Sequence, residues 1–170
     1  LAFWFQELDP RDWWTKSDAT DNLVKRRFFE LWQEQKAKTA GDFLGSPETA
    51  LAAVILFDQF PRNMFRDSAD AFSTDHLAQQ IAQQAVDLQF DQQLPEEQRP
   101  FLYMPFMHAE DIDLQNKSVA LFTKLGSNQK FANEHRDTIA QFGRFPHRNH
   151  ILGRQFRPGE QVAIDAGASW

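Results

Sequence analysis

Apolar residues recur along this chain at three- and four-residue spacing and almost never alternate with polar ones. That spacing is the period of an amphipathic helix, whereas alternation marks a half-buried strand. Val24, Phe28, Leu31 and Trp32 define one such face, with Asp18, Thr20 or Asp21 as its cap and Gly41 beyond its end. Ser46-Pro47-Glu48 combines a cap, a first-turn proline and an acidic first turn. It predicts a helix running to about Phe57 and stopping before Pro61. Ser73-Thr74-Asp75 opens the next, with Leu77, Ala78, Ile81, Ala82, Ala85 and Val86 inward. Asp91–Pro100 reads as a connection with a helical turn at Pro95, and the apolar Phe101–Met107 segment as broken by Pro105. Helices starting at Asp111 and Asn128 close at Gly126 and Gly143; the second turns Phe131, Ala132, His135, Ile139 and Phe142 inward. Short helices follow Pro146 and Pro158, and no hairpin dipeptide occurs. The expected architecture is a single all-α domain over 1–170, with seven to nine short helices packed as antiparallel pairs.

Composition removes several functions. The 170 residues include no cysteine, which excludes a disulfide framework, a thiolate zinc site and a cysteine nucleophile. The longest apolar run, Ala50–Phe57, is far below the roughly 18 residues that span a bilayer. With no basic leader in LAFWFQELD, a soluble cytoplasmic protein is the expectation. A net charge of −6 argues against general nucleic-acid binding, although an arginine-rich stretch near the end keeps RNA as a minor alternative. No P-loop, nucleophile elbow, dinucleotide fingerprint or H-E-x-x-H occurs, so no cofactor is indicated and no metal site is assigned.

The most informative motif is a near-duplicate half a chain apart. Phe57-Asp58-Gln59-Phe60-Pro61-Arg62-Asn63 is echoed by Phe142-Gly143-Arg144-Phe145-Pro146-His147-Arg148-Asn149. Each reads as a helix end, an aromatic anchor, a proline turn and a polar pair held in a fixed direction. Asp58 follows a strongly apolar run, so it is expected to be buried and matched by Arg62 or Arg148, as a clamp between the halves or as a catalytic carboxylate. Between Phe142 and Arg157 lie Arg144, Arg148, Arg154, His147 and His150 with no acid. Such a stretch either neutralises acids elsewhere or holds a carboxylate or phosphate through arginine forks.

A second group surrounds His108. Asp111 reads as a helix cap, while His108 and Glu110 sit on a turn where a general acid or base can be tuned. His135 falls on an apolar helix face. If the last helices pack antiparallel, His108, Glu110, His135 and His147 converge.

DQFPRN (Asp58–Asn63), PFMHAED (Pro105–Asp111) and FGRFPHRNHILGR (Phe142–Arg154) together resemble the bacterial family known as domain of unknown function 924. The resemblance runs from Phe3-Trp4 through Arg154 and implies an all-α, tetratricopeptide-like fold, a right-handed superhelix or compact bundle, without a settled activity. It implies a shared site of Asp58, Arg62, Asn63, His108, Glu110, His135, Arg144, His147, Arg148, Asn149 and Arg154. Two departures stand out: Ala109 where the family has Ser, and Gln155–Glu160 where it has Ser-Thr and an acidic helix.

Two functional classes fit these residues. In the first, an enzyme or binder, Arg62, Arg144, Arg148 and Arg154 hold a small anionic ligand that Asn63 and Asn149 orient. His108 or His135 then moves a proton, with Glu110 setting the tautomer. In the second, the helical pairs form a scaffold for a peptide or protein partner, although no 34-residue repeat is present. Of the seventeen Phe, Phe28, Phe122 and Phe131 read as core residues, whereas Phe60 and Phe145 scaffold the polar pairs. Replacing Phe145 by Ala is expected to disorder the Arg148-Asn149 turn beyond its packing cost of ~3–5 kcal/mol. Anion affinity of the variant, measured by calorimetry, should fall with stability.

Overall fold

Three hydroxyl or carboxylate caps set where the main helices begin. In the computed structural model, which describes residues 1–168, Ser17 accepts from Thr20 N at the start of α1 (Asp18–Gln35). Ser46 accepts from Thr49 N before α2 (Pro47–Val54), and Asp111 accepts from Asp113 N and Leu114 N before α6 (Ile112–Leu125). Each satisfies backbone donors that the first helical turn leaves open. The cap of α1 is Ser17 rather than Asp18, Thr20 or Asp21, because Ser17 holds the extended conformation that a cap requires. α3 (Phe60–Met64), α4 (Asp75–Asp87), α5 (Arg99–Met107), α7 (Gln129–Phe142) and α8 (Glu160–Asp165) complete the α-helices, and short tighter turns join them. Among the described residues the chain is all-α. Gly126 and Gly143 end α6 and α7 at φ +78° and +68°, where a side chain would be strained.

α2 does not stop before Pro61. It widens into a π-helical turn, Ile55–Gln59, and runs on through Pro61 as α3, with Phe60 helical at φ −61°, ψ −38°. Proline removes an N–H and its ring crowds the carbonyl four residues back. That carbonyl, Phe57 O, accepts instead from the Thr74 hydroxyl at 2.7 Å. The next, Asp58 O, accepts from Arg62 Nη1 at 2.5 Å. The wider turn and these two side chains together make the proline tolerable. α5 likewise continues through Pro105, against expectation. Phe101, Leu102, Tyr103, Met104 and Phe106 are all buried there, and their burial offsets the helix penalty of about 3 kcal/mol.

α5 packs between α4 and α6, α6 against α7, α2 against α4, and α1 against α3. One contiguous core runs from Phe3 to Ala132. At its aromatic end Phe60 lies 4.6 Å from Phe28 and 5.7 Å from Trp4, ring centre to ring centre. Trp13 and Trp14 pack on Phe101 at 5.0 and 5.9 Å, and Trp13 donates its indole N–H to Trp4 O at 2.8 Å. These contacts fold the first residues over the start of α5. Phe28 and Phe142 are only partly buried, and two expected core positions are exposed: Leu31 at 42% and Phe131 at 50%. Helical spacing places them on an apolar stripe, but no neighbouring helix covers that part of it.

Thr74 is the hinge of this arrangement, since its hydroxyl also accepts from Trp32 Nε1 at 3.2 Å. Thr74→Ala leaves two buried groups unpaired and should cost about 2–3 kcal/mol in urea unfolding. Thr74→Ser should recover most of that loss.

Candidate functional site

The π turn points Asp58 into the protein, where it is fully buried. His108, at the end of α5, meets it: Nδ1 lies 2.8 and 3.0 Å from the two carboxylate oxygens. A carboxylate only accepts, so Nδ1 carries the hydrogen and Nε2 is the nitrogen left for the cleft. Gln59 Nε2 donates to Asp58 at 2.5 Å, and Arg62 Nη1 stands 3.4 Å away. Burial alone would push the pKa of Asp58 up. The charges of Arg62 and then His108, with hydrogen bonds from His108 and Gln59, outweigh it and hold the carboxyl well below the usual range.

Arg62 is itself forked onto Asp75, with Nη1 and Nη2 at 2.9 and 3.0 Å from its oxygens. Arg148 reaches the same carboxylate at only 3.6 Å and donates Nη2 to His108 O at 3.0 Å. Its guanidinium lies between the rings of Phe72 and Phe145, at 4.5 and 4.6 Å. Its Nε is buried with no hydrogen-bond partner. Burial and the like charge of Arg62 pull Arg148 down to about 10.

Asp58, Arg62, His108, His135, His147 and Arg148 are brought together here, without Glu110. The ring of His135 lies 6.5 Å from that of His108, and Phe145 is flanked by His135 and His147 at 5.5 and 5.6 Å. His135 Nδ1 meets Phe131 O at 2.8 Å, which fixes the hydrogen on Nδ1. Burial, reinforced by the charge of His108, takes His135 down to about 3. Burial and Arg148 take His147 down to about 4.

The remaining expected residues point elsewhere. Glu110 does not orient His108; Asp58 does. Glu110 accepts from Phe145 N at 2.7 Å and from Arg154 at 2.6 and 2.9 Å. Arg144 and Asn149 both donate to Glu160, at 2.7, 2.9 and 2.8 Å, and Arg157 N joins them at 2.7 Å. The hydrogen bond from Arg144 leads in lowering Glu160 to about 2. These side chains do not line the cleft; they tie the last segment to the Phe145 turn. The departure at Gln155–Glu160 thus supplies the acid that closes this corner. Asn63 does line the cleft, but its amide donates to Asp21 at 2.8 Å, beside the Arg66–Asp21 fork at 2.6 and 2.7 Å.

The cleft above these groups has two lobes, of about 340 and 620 Å³, which share Trp13, Trp14, Gln59, Arg62, His108 and His135. Ligand sites commonly fall in this size range. Asp75, Asp21 and Glu160 escaped the sequence reading because an acid beside a helix start reads as a cap. Trp13 and Trp14 escaped it because they lie outside any helical period.

Fold and cleft together define an all-helical protein with a buried Asp–His pair and an arginine-lined pocket. The family model described as "Bacterial protein of unknown function (DUF924)" matches residues 1–168, and the chain belongs to that family. A solved structure, that of the protein of unknown function ATU0120 from Agrobacterium tumefaciens, is similar: 39% identical, with a TM-score of 0.90. The match covers 96% of this chain and 93% of that one. No protein of curated function matches.

The two buried imidazoles give a pH signature. A histidine neutral in the fold and protonated when unfolded costs stability as pH falls below about 6.5. Asp58 adds nothing in this window, because its stabilisation is lost only below the carboxylate range. Unfolding free energy should fall by about 2 kcal/mol between pH 6.5 and 5 for His135. His147 adds a similar fall, so His135→Gln should roughly halve the total slope in urea titrations.

Proposed function

We propose that the cleft binds a small anionic ligand, a carboxylate or phosphate, and that His108 transfers a proton there. The observation that carries the reading is the incomplete compensation of Arg148. Arg62, Arg66, Arg144 and Arg154 each have a carboxylate within 3.0 Å, whereas the nearest to Arg148 is at 3.6 Å. A buried cation short of a counter-charge favours an anion beside it. Arg62 supplies a second positive group on the same wall, while Lys16 and Arg66, which also line it, are matched by Asp67 and Asp21.

Asp58 orients His108 through Nδ1, while Nε2 accepts a proton from, or returns one to, a bound molecule. His135 stays neutral, so it offers hydrogen bonds rather than charge. Asp58 is a positioning residue, since burial keeps it from touching ligand. Among the described residues no group of three His, Asp or Glu is set to hold a metal, and the reading needs none.

The peptide-scaffold alternative draws support only from helical pairing. No helix among the described residues is long and apolar enough to cross a membrane.

Calorimetric titration with inorganic phosphate and with acetate tests the reading. At least one should bind, and Arg148→Met should weaken it by 10-fold or more, which is about 1.4 kcal/mol. Met keeps an apolar stem between Phe72 and Phe145. Arg27→Gln, an exposed arginine that lines neither lobe of the cleft, should not alter the affinity. No binding of either anion, or equal loss in both variants, overturns it.

A further inference from the structure

The two lobes differ in chemistry although they share a floor. The smaller adds Lys16, Asn63, Arg66 and Arg148 to the common residues, with Asp67 paired to Lys16 at 3.9 Å. The larger adds Met104, Met107, Phe131 and Asn128, and brings no further charged side chain. Trp14 is 62% exposed and Phe131 50% exposed, so two large aromatic faces meet water beside the same lobe. Leaving them wet forgoes the gain from burying apolar surface. Met104 and Met107 provide an adaptable, polarizable wall opposite.

Trp14 is held by two aromatic neighbours. It stacks on Phe101 at an interplanar angle of 21° and meets Trp13 edge-on at 82°. Its orientation is set by those rings, which leaves its outer surface preformed rather than loose. Aromatic faces fixed in this way capture a planar or apolar group at low entropic cost.

We infer that the ligand is an amphipathic anion: an acidic head in the arginine lobe, and an aromatic ring or short apolar tail in the lobe of Trp14, Phe131 and Met107. The inference rests on the anion reading above and deepens it by naming the ligand class. His108 and Gln59 line both lobes, so they stand at the junction of head and tail.

Calorimetry on the whole chain decides this with four anionic probes, inorganic phosphate, phenyl phosphate, acetate and phenylacetate, and with phenol as a neutral control. Within at least one pair the phenyl compound should bind 10-fold or more tightly than its parent anion. Trp14→Ala and Phe131→Ala should cut that ratio below about twofold. Both side chains are at least half exposed, so the variants should fold, and circular dichroism checks this. A ratio near one in both pairs with the parent anions bound, or a ratio that survives both substitutions, overturns the inference and leaves the anion reading standing. Absence of binding by all four overturns the anion reading itself. Phenol binding as tightly as phenyl phosphate also overturns both, since the acidic head then contributes nothing.

Discussion

A carboxylate with no access to water governs this fold. Sealing an ion away costs several kcal/mol unless charges and donors replace its hydration. Asp58 collects that replacement from three places: Gln59 and Arg62 on its own helix, and His108 from the end of α5. Arg62 is then fixed by Asp75 at the start of α4, and Asp75 is shared with Arg148 beyond α7. Satisfying one buried charge thus recruits groups from four separate stretches of sequence. The cleft is the place where this network reaches the surface.

The rest of the molecule secures the edges of that network. Glu110 and Glu160 each gather an arginine and a backbone N–H around the Phe145 turn. Phe145 is buried beneath it, with His135, His147 and Arg148 against its ring. The ion pairs at this end are therefore mostly internal, and the arginine-rich stretch serves chiefly to match acids. Arg148 alone among the compared arginines is left short.

Much of this was legible in local sequence. Ser46, Asp111, Gly126 and Gly143 mark helix ends because capping depends on a few adjacent residues. The duplicate motif identified Asp58, Arg62, His147 and Arg148, and the imidazoles came with their apolar neighbours. The two copies are nonetheless unlike. Phe145 is extended at φ −86°, ψ 110°, as a residue before proline prefers, whereas Phe60 stays helical. What rescues Phe60-Pro61 is the hydroxyl of Thr74, on another segment, which no local reading supplies. The same holds for Glu110: its partner is chosen by the packing of the last segment, not by its closeness to His108 in sequence.

The π turn before Pro61 has a consequence for how this region can change length. A helix advances about 100° for each residue. Removing one residue from Ile55–Gln59 restores regular winding and swings Arg62, Asn63 and Arg66 by that angle, away from Asp75 and Asp21. Adding one does the same in the opposite sense. Chain length is therefore as constrained here as residue identity, and insertions or deletions belong to exposed connections such as 36–38 instead.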